Sequence, residues 1–258
     1  MPTSNNPVLA TPGIIGGSGL YALSGYGQAQ VLSVATPYAD IPVSVWQYQS
    51  KGQRLLFVPR HGPHHSVPPH LINYRANIWA LKNLQATGIV AINTVGGITA
   101  HMQPGVVCLA DQIIDYTWGR TSTFYQSAQD PSPHVDFTCP FDAGLRQHIL
   151  DAANRHSFDL IPSAVYACTQ GPRLETAAEI IRLARDGCDI VGMTGMPEAI
   201  LARELELPYS MLALVVNTAA GLSGKSLDFA AMQAVATSGL ERIEQLLDVV
   251  LAHRKLNN

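Results

Sequence analysis

Three short segments of the sequence combine glycines with side chains that can donate hydrogen bonds to an anion. The first is GGSG at residues 16–19, which follows an apolar stretch and carries the hydroxyl of Ser18. Glycines let successive backbone N–H groups converge on a negative group, and the hydroxyl adds a donor. Taken alone, a tight turn without function is the better interpretation. A dinucleotide-binding fingerprint is rejected because no amphipathic helix follows the glycines.

The second and third segments also follow apolar stretches. PRHG at residues 59–62 carries the cation Arg60 and the titratable imidazole of His61, both expected to face outward, and NTVGG at residues 93–97 adds the hydroxyl of Thr94. A surface salt bridge and a strand cap are the structural alternatives. A metal site is disfavoured because no carboxylate or thiolate accompanies the histidines of this loop, which are His61, His64, His65 and His70. Since α/β sheets bind ligands at the carboxyl ends of their strands, three such ends predict a phosphate site.

Three further segments carry polar groups whose use the residues alone leave open. Glu175 is placed at the start of a predicted helix, where an acidic side chain also stabilises the helix dipole. Met193 and Thr194 close a predicted strand, and a methionine there is more often core filler than a ligand contact. Asn217 ends another apolar strand, a position typical of a turn. Each of these positions keeps a structural and a functional interpretation.

The predicted elements that must position these groups alternate along the chain. Apolar stretches predict strands at 13–16, 43–48, 54–59, 88–95, 164–168, 189–193 and 209–216. Helical spacing predicts helices at 73–85, 174–186, 197–206 and 228–253. This alternation favours an α/β fold, a single domain with a central mixed, largely parallel sheet flanked by helices. Residues 118–139 lack periodicity, and a loop of that length is usually functional or an interface segment.

The composition excludes several classes of protein. The chain has 258 residues, of which 47% are hydrophobic and 14% charged, and its formal net charge is -3. It can therefore bury one large core, and it lacks the basic surface that nucleic acid requires. No apolar run approaches the roughly 20 residues that span a bilayer. Four widely spaced cysteines without a CxxC pair and without a signal peptide indicate the cytoplasm. We expect a loose tail over residues 1–12, one domain over residues 13–258, and no metal.

Seven segments in a fixed order carry a family resemblance. They are IIGGSGL, PRHG, NYRANIWAL, NTVGG, TQGPRLETAAE, VGMTGMPEA and LVVN, and the resemblance they carry covers nearly the whole chain, from about Gly13 to the last predicted helix. This set resembles the trimeric purine nucleoside phosphorylase and methylthioadenosine phosphorylase family. The resemblance implies the nucleoside phosphorylase fold, a homotrimer, a purine nucleoside and inorganic phosphate as substrates, and no metal or organic cofactor.

The resemblance also implies roles for individual residues. Ser18, Arg60, His61 and Thr94 match the positions at which the family binds phosphate. Met193 matches a thioether that packs on the ribose, with Thr194 beside it, and Leu174 matches an apolar side chain that packs on the base. Further substrate contacts are expected from Val95, Gly96, His134, Leu227 and Ala231. Among these, His134 matches a position contributed by a neighbouring subunit, and Leu227 and Ala231 match positions on the last helix that cover the 5' group.

Glu175 and Asn217 divide the family by substrate. Methylthioadenosine phosphorylases carry an Asp-containing loop at residues 217–220 and lack the Glu of GPRLET, so the pair in this sequence is similar to that of 6-oxopurine nucleoside phosphorylases. A carboxylate can accept N1–H of hypoxanthine, and an amide can donate to O6 or N7. The segments RHGPHH, NYRANIWAL and GMTGMPEA are more similar to the methylthio-nucleoside branch. Methylthioinosine satisfies both patterns, with Asn217, Glu175 and His61 as the expected catalytic residues.

Four other functions share part of the pattern expected of an enzyme that uses methylthioinosine and phosphate. A general inosine and guanosine phosphorylase or a methylthioadenosine phosphorylase would share the whole pattern except its substrate preference. A nucleosidase that uses water would not need Arg60 and His61. A purine-binding sensor would keep the pocket without turnover, and the complete set of phosphate-site residues disfavours it.

Overall fold

The computed structural model describes residues 9–252 except residues 21, 51, 126, 128–133, 225 and 227. Within this part of the chain, ten strands and five α-helices form an α/β fold. The strands are β1 Pro12–Gly16, β2 Gln30–Thr36, β3 Ala39–Ser50, β4 Gln53–Pro59, β5 Gly88–Gly97, β6 Val107–Leu109, β7 Gln112–Asp115, β8 Val165–Cys168, β9 Ile190–Gly192 and β10 Tyr209–Thr218. The helices are α1 Tyr74–Asn83, α2 Ala143–Arg155, α3 Ala177–Arg185, α4 Glu198–Glu204 and α5 Phe229–Ala252.

All ten strands belong to one mixed sheet in which β5 pairs with three others. The main path runs β2-β3-β4-β1-β5-β9-β8-β7, and β10 pairs with both β5 and β6. Strand β1 lies parallel to the first half of β5 and ends at Gly16, and β9 then pairs antiparallel with Gly96 and Gly97 at the far end of β5. Strand β10 runs parallel to nearly the whole of β5. The middle of β5 therefore lies beyond the end of β1 and before the start of its pairing with β9.

Successive side chains of a strand point to opposite faces of the sheet, and in the central strands both faces are buried. Ile15 and Val58 pack in a core with Leu81 of α1 and Leu201 of α4. Their neighbours Ile14 and Phe57 pack in a second core with side chains of α2 and α5, namely Leu145, Ile149, Ile243 and Leu247. Two helical layers thus enclose the sheet, which explains why these strands read as continuous apolar runs.

The fold class predicted from the sequence is confirmed, and several element boundaries are corrected. Periodicity missed β2, β6, β7 and α2. Strands β6 and β7 have only three and four residues, β2 interrupts its apolar residues with Ser33, and α2 is rich in polar side chains. The predicted helix 174–186 begins at Ala177. The predicted tail reaches into the sheet, since Leu9 is buried and β1 begins at Pro12; residues 1–8 lie outside the described part. No helix among the described residues is long and apolar enough to cross a membrane.

Candidate active site

A cavity of about 190 Å³ lies at the carboxyl ends of β1, β4, β5, β9 and β10. Its walls come from residues within or just after these strands, from Pro69 before α1, from the loop before α3 and from Met232 in the first turns of α5. Its lining consists of Gly17, Ser18, Arg60, His61, Pro69, Asn93, Thr94, Val95, Gly96, Leu174, Glu175, Val191, Gly192, Met193, Thr194, Val216, Asn217, Ala219, Ala220 and Met232. Strands β1, β4, β5 and β10 run parallel and therefore end at the same edge of the sheet, whereas β9 reaches the cavity by pairing antiparallel with β5, which places Val191 beside Gly96.

Most of the residues selected from the sequence lie together in this cavity. They are Ser18, Arg60, His61, Thr94, Val95, Gly96, Leu174, Glu175, Met193, Thr194 and Asn217. His134 is exposed and does not line the cavity of the single chain. Ala231 is exposed in the first turn of α5 and does not line it either, whereas its neighbour Met232 does. Leu227 lies outside the described residues.

Arg60 is part of a buried ion pair. Its Nε donates to Glu198 Oε2 at 2.7 Å and its Nη2 donates to Glu198 Oε1 at 2.8 Å, and neither side chain has any exposed surface. Nη1 donates to the carbonyl of Ile92 at 3.0 Å, and Nη2 donates to Asn93 Oδ1 at 3.1 Å. Tyr209 completes the arrangement by donating to Glu198 Oε1 at 2.8 Å. Burial alone would lower the pKa of Arg60, but the paired carboxylate raises it above its usual value.

This geometry corrects the expectation that Arg60 faces outward. A guanidinium has five N–H donors, and four of them are used within the protein. The remaining N–H belongs to Nη1, which lies close to Gly17: a Cβ on Gly17 would be 3.0 Å from Nη1 and 2.7 Å from the carbonyl oxygen of Ile92. The glycine therefore permits the GGSG loop to approach Arg60. Arg60 lines the cavity with one N–H beyond these four bonds, and the Glu198 carboxylate compensates its charge.

His61 has one tautomer fixed by the backbone. Its Nδ1 lies 2.9 Å from the carbonyl oxygen of Val67, so Nδ1 carries the proton and donates. Burial, with a smaller contribution from Arg60 and His65, lowers the pKa of His61 to about 4. The ring is therefore neutral at pH 7, and Nε2 is an acceptor. This corrects the expectation that the imidazole is a hydrogen-bond donor to an anion.

His65 contacts two cavity residues without lining the cavity itself, and its residue type had been considered only for a metal site. Its Nε2 lies 2.9 Å from Ser18 Oγ, and its ring stacks on that of His61 with the centroids 4.4 Å apart. Gly62, with φ of 79°, allows the loop to turn back toward the end of β1.

Among the described residues there is no group of three or more His, Cys, Asp or Glu side chains that could hold a metal ion.

Asn93 links the buried ion pair to the end of β9. Its Oδ1 accepts from Arg60, and its Nδ2 donates to Thr194 Oγ1 at 2.8 Å. The backbone N–H of Thr194 in turn donates to the hydroxyl of Tyr166 at 3.3 Å. Thr194 is thereby fixed beside Met193 at the cavity wall. Asn93 belongs to the NTVGG motif, but its residue type and position alone did not predict this role.

Glu175 lies in the loop before α3, not in its first turn. The helix is capped by Thr176 and Glu179, which form a reciprocal capping box, so dipole stabilisation does not account for Glu175. Thr169 Oγ1 donates to Glu175 Oε1 at 2.6 Å, which orients the carboxylate at the cavity. The second oxygen, Oε2, is an acceptor of the kind that an N–H of a heterocycle requires.

Asn217 lies where β10 departs from regular pairing. The register between β10 and β5 shifts between Val215 and Asn217, and Asn217 pairs with Gly96. A Cβ on Gly96 would lie 3.5 Å from Asn217 Nδ2, an ordinary van der Waals contact, so the amide lies directly beside this residue. Nδ2 donates to the Thr218 carbonyl at 2.8 Å and retains a second N–H.

Comparison with known proteins identifies the family. The model of the Phosphorylase superfamily matches residues 11–252, and the chain belongs to this superfamily. A probable S-methyl-5'-thioinosine phosphorylase of Pseudomonas syringae pv. tomato is 47% identical over 239 residues, which are 93% of this chain and 97% of that protein. A 6-oxopurine nucleoside phosphorylase of Pyrococcus furiosus is 45% identical over 83% of this chain and 82% of that protein.

Solved structures show the same fold. Methylthioadenosine phosphorylase from Schistosoma mansoni in complex with adenine has a TM-score of 0.88 and 29% sequence identity to this chain, and the match covers 94% of this chain and 91% of that one. The apo form of the same enzyme has a TM-score of 0.85 and 30% identity, with 94% and 90% coverage. The resemblance drawn from the seven segments is therefore confirmed at the level of family and fold.

The buried ion pair leads to a prediction about stability. Glu198→Gln keeps the shape of the side chain but leaves the charge of Arg60 without its partner, so we expect a loss on the order of 3 kcal/mol in the free energy of unfolding. Urea denaturation measures it. Arg182→Gln, which breaks an exposed ion pair with Asp186, is the control, and its cost should stay below about 1 kcal/mol. Equal losses in the two variants would contradict the importance of the Arg60–Glu198 pair.

The lowered pKa of His61 predicts a pH dependence of stability. The unfolded chain binds a proton at this imidazole below about pH 6.5, whereas the folded protein resists protonation down to a pKa of about 4. The free energy of unfolding should therefore fall as the pH drops from about 6.5 to 4, by up to about 3 kcal/mol, with no contribution above this window. Urea midpoints across this range measure the slope, which should flatten in His61→Gln and persist in His64→Gln, a change of an exposed histidine.

Proposed function

We propose that this protein is a phosphate-dependent S-methyl-5'-thioinosine phosphorylase. It cleaves the N-glycosidic bond to give hypoxanthine and 5-methylthioribose 1-phosphate, which makes it a pentosyltransferase of purine salvage. The observation that carries the proposal is that the Glu175 carboxylate and the Asn217 amide line the same cavity as Ser18, His61 and Thr94. Relatives at 45–50% identity are named for 6-oxopurine substrates, which supports the same conclusion.

The phosphate end of the site offers hydrogen-bond donors, most of them neutral, and one acceptor. Ser18 and Thr94 offer hydroxyls, the GGSG and NTVGG segments offer backbone N–H groups, and Arg60 offers one N–H. Since His61 Nε2 is an acceptor at neutral pH, its matching partner is the O–H of a protonated phosphate oxygen. Inorganic phosphate near pH 7 carries at least one such proton, so the donor and acceptor pattern fits phosphate without a metal or organic cofactor.

The chemical step is a displacement at C1'. The C1'–N9 bond breaks and its electron pair remains on the purine, while an oxygen of phosphate forms the new bond to C1' through a transition state with oxocarbenium character. The purine then takes up one proton to leave as hypoxanthine, which balances the proton that the phosphate gives up on becoming the sugar phosphate. Developing charge on the purine is stabilised by donation from Asn217 to O6 or N7, and Glu175 holds N1–H in register. Positioning and electrostatics then supply most of the rate enhancement, and no covalent enzyme intermediate forms.

The remaining contacts follow the family resemblance. Met193 packs on the ribose, Leu174 packs on the base, and Val95 and Gly96 border the base. We further propose that the chain assembles as a homotrimer in which His134 of a neighbouring copy completes the 5' end of the site. Sedimentation equilibrium of the full chain tests the assembly, and a monomer active at all dilutions would refute this part.

Base recognition gives the most direct test of the function. With a 6-aminopurine, the Glu175 carboxylate would face the N1 lone pair and the Asn217 donor would face an amino group. Each unpaired buried group costs about 1–3 kcal/mol, so we expect methylthioinosine to exceed methylthioadenosine in kcat/KM by about a hundredfold or more. Phosphate-dependent release of hypoxanthine and of adenine provides the measurement.

The double variant Glu175→Ser and Asn217→Asp should shift this ratio toward methylthioadenosine. A carboxyl group at 217 can accept from the 6-amino group and, when protonated, donate to N7. Leu222→Ser, an exposed position outside the lining, should leave the ratio unchanged. A native preference for methylthioadenosine, or a ratio that the double variant does not move, would show that these two residues do not read the base.

The 5' substituent is the second determinant of specificity. Met232 is the α5 residue that lines the cavity, and an apolar wall favours methylthio over hydroxyl. One or two methylenes of contact are worth roughly 1–2 kcal/mol, so we expect about 5- to 30-fold higher kcat/KM for methylthioinosine than for inosine. Met232→Gln should reduce this preference, and Gln233→Ser, at an exposed neighbouring position, should not. Equal turnover of inosine and methylthioinosine by the native enzyme would instead indicate a general 6-oxopurine nucleoside phosphorylase.

A further inference from the structure

Arg120, in the irregular segment after β7, donates to several backbone carbonyls at once. Nη1 donates to the carbonyl of Met193 at 2.8 Å and of Met196 at 2.5 Å, and Nη2 donates to the carbonyls of Gln170 at 2.7 Å and Thr169 at 3.3 Å. These acceptors belong to two different loops, one after β9 and the other after β8. The guanidinium therefore ties the two loops together through their backbone carbonyls.

The charge of Arg120 is not used in an ion pair within the described part of the chain. The ion pairs found there involve Arg60, Arg173 and Arg182. The guanidinium of Arg120 is half-buried and stacks at 5.5 Å from the ring centroid of Tyr74. Its hydrogen-bonding partners are carbonyl dipoles and one hydroxyl. A residue with this environment holds backbone in place, since a planar fork can bind several carbonyls with little loss of side-chain freedom.

The two loops held by Arg120 form part of the cavity wall, and they are separate in sequence from the segments expected to bind phosphate. Met193 lies in the loop after β9, and Thr169 orients Glu175 through its hydroxyl. A third connection runs through Tyr74, whose hydroxyl accepts from Arg120 at 3.2 Å and donates to the carbonyl of Pro69 at 2.9 Å. Burial raises the pKa of Tyr74, so this hydroxyl keeps the proton that it donates. Pro69 also lines the cavity.

We propose that Arg120 is a positioning residue that fixes the ribose- and base-facing loops of the site relative to each other. The proposal rests on the function proposed above, because it assigns Met193 and Glu175 to the nucleoside. No hydrogen bond of Arg120 in the described structure reaches Ser18, His61 or Thr94. Loss of Arg120 should therefore impair use of the nucleoside and spare the binding of phosphate.

Arg146 supplies a matched control elsewhere in the molecule. Its guanidinium also caps backbone carbonyls, donating to Ala110 at 3.0 Å, Pro162 at 2.7 Å and Leu109 at 3.5 Å. It lies on α2 and does not line the cavity. Arg146→Gln thus removes an arginine that holds carbonyls without touching the site. If Arg120→Gln impairs the kinetics more than Arg146→Gln does, the difference is due to the contacts of Arg120 with the loops of the site.

The experiment measures steady-state kinetics of Arg120→Gln, Arg120→Lys, Arg146→Gln and the native enzyme with methylthioinosine and phosphate varied separately. We expect Arg120→Gln to lower kcat/KM for methylthioinosine at least about tenfold, because small displacements of positioning loops reduce turnover strongly. KM for phosphate should stay within about twofold of the native value. Arg120→Lys, which keeps the charge but not the fork, should recover part of the loss, and it carries the test if Arg120→Gln does not fold. Arg146→Gln should be kinetically native.

Amide hydrogen exchange gives a readout that does not depend on turnover. Residues 169–175 and 193–197 should exchange faster in the Arg120 variants than in the native protein and in Arg146→Gln. Native exchange rates in both segments, unchanged kinetics, or an equal rise of both KM values would overturn the role of Arg120. If the native enzyme does not turn over methylthioinosine, the proposed function fails, and faster exchange in these segments alone still supports the positioning role.

Discussion

The guanidinium of Arg60 and the carboxylate of Glu198 lie in the interior without exposed surface, and the ends of several elements meet on them. Arg60 follows β4, its acceptors in Ile92 and Asn93 lie in β5, Glu198 begins α4, and Tyr209 begins β10. Removing two charges from water costs several kcal/mol per ion, and only close to complete hydrogen bonding offsets that cost. The relative positions of these elements are therefore constrained by the need to satisfy one ion pair.

This constraint has a consequence for how the site can bind an anion. The charge of Arg60 is compensated by Glu198, and His61 is neutral at pH 7 because burial lowers its pKa to about 4. Among the described residues that line the cavity, Glu175 is the remaining ionisable side chain. The proposed phosphate would thus be held mainly by hydroxyl and backbone N–H dipoles that are fixed in advance. Neutral His61 also favours a protonated phosphate oxygen, which links the binding of phosphate to its ionisation state.

The sequence predicts which segments form the site better than it predicts what each side chain does there. Strand-end glycines and polar residues placed Ser18, Thr94 and Asn217 at one edge of the sheet, since the direction of parallel strands follows from strand and helix alternation. The same reasoning missed Glu198, because a glutamate at a helix start is typical of a solvated first turn. Its burial is determined by Arg60, 138 residues away in the chain. Met232 was missed for a related reason. The sequence of the long helix α5 does not show which of its many apolar side chains faces the cavity.

Three arginines in this protein illustrate why residue type alone leaves function undecided. Arg60 uses four of its donors on a carboxylate, a carbonyl and an amide. Arg120 uses its Nη1 and Nη2 donors on two loops and a tyrosine, and Arg146 uses Nε and Nη2 on carbonyls remote from the cavity. What an arginine contributes to a ligand depends on how many N–H groups the protein has left unsatisfied. That number is set by partners distant in sequence. A family resemblance therefore transfers the location of a cationic residue, while the division between binding a ligand and holding the walls around it follows from the folded structure.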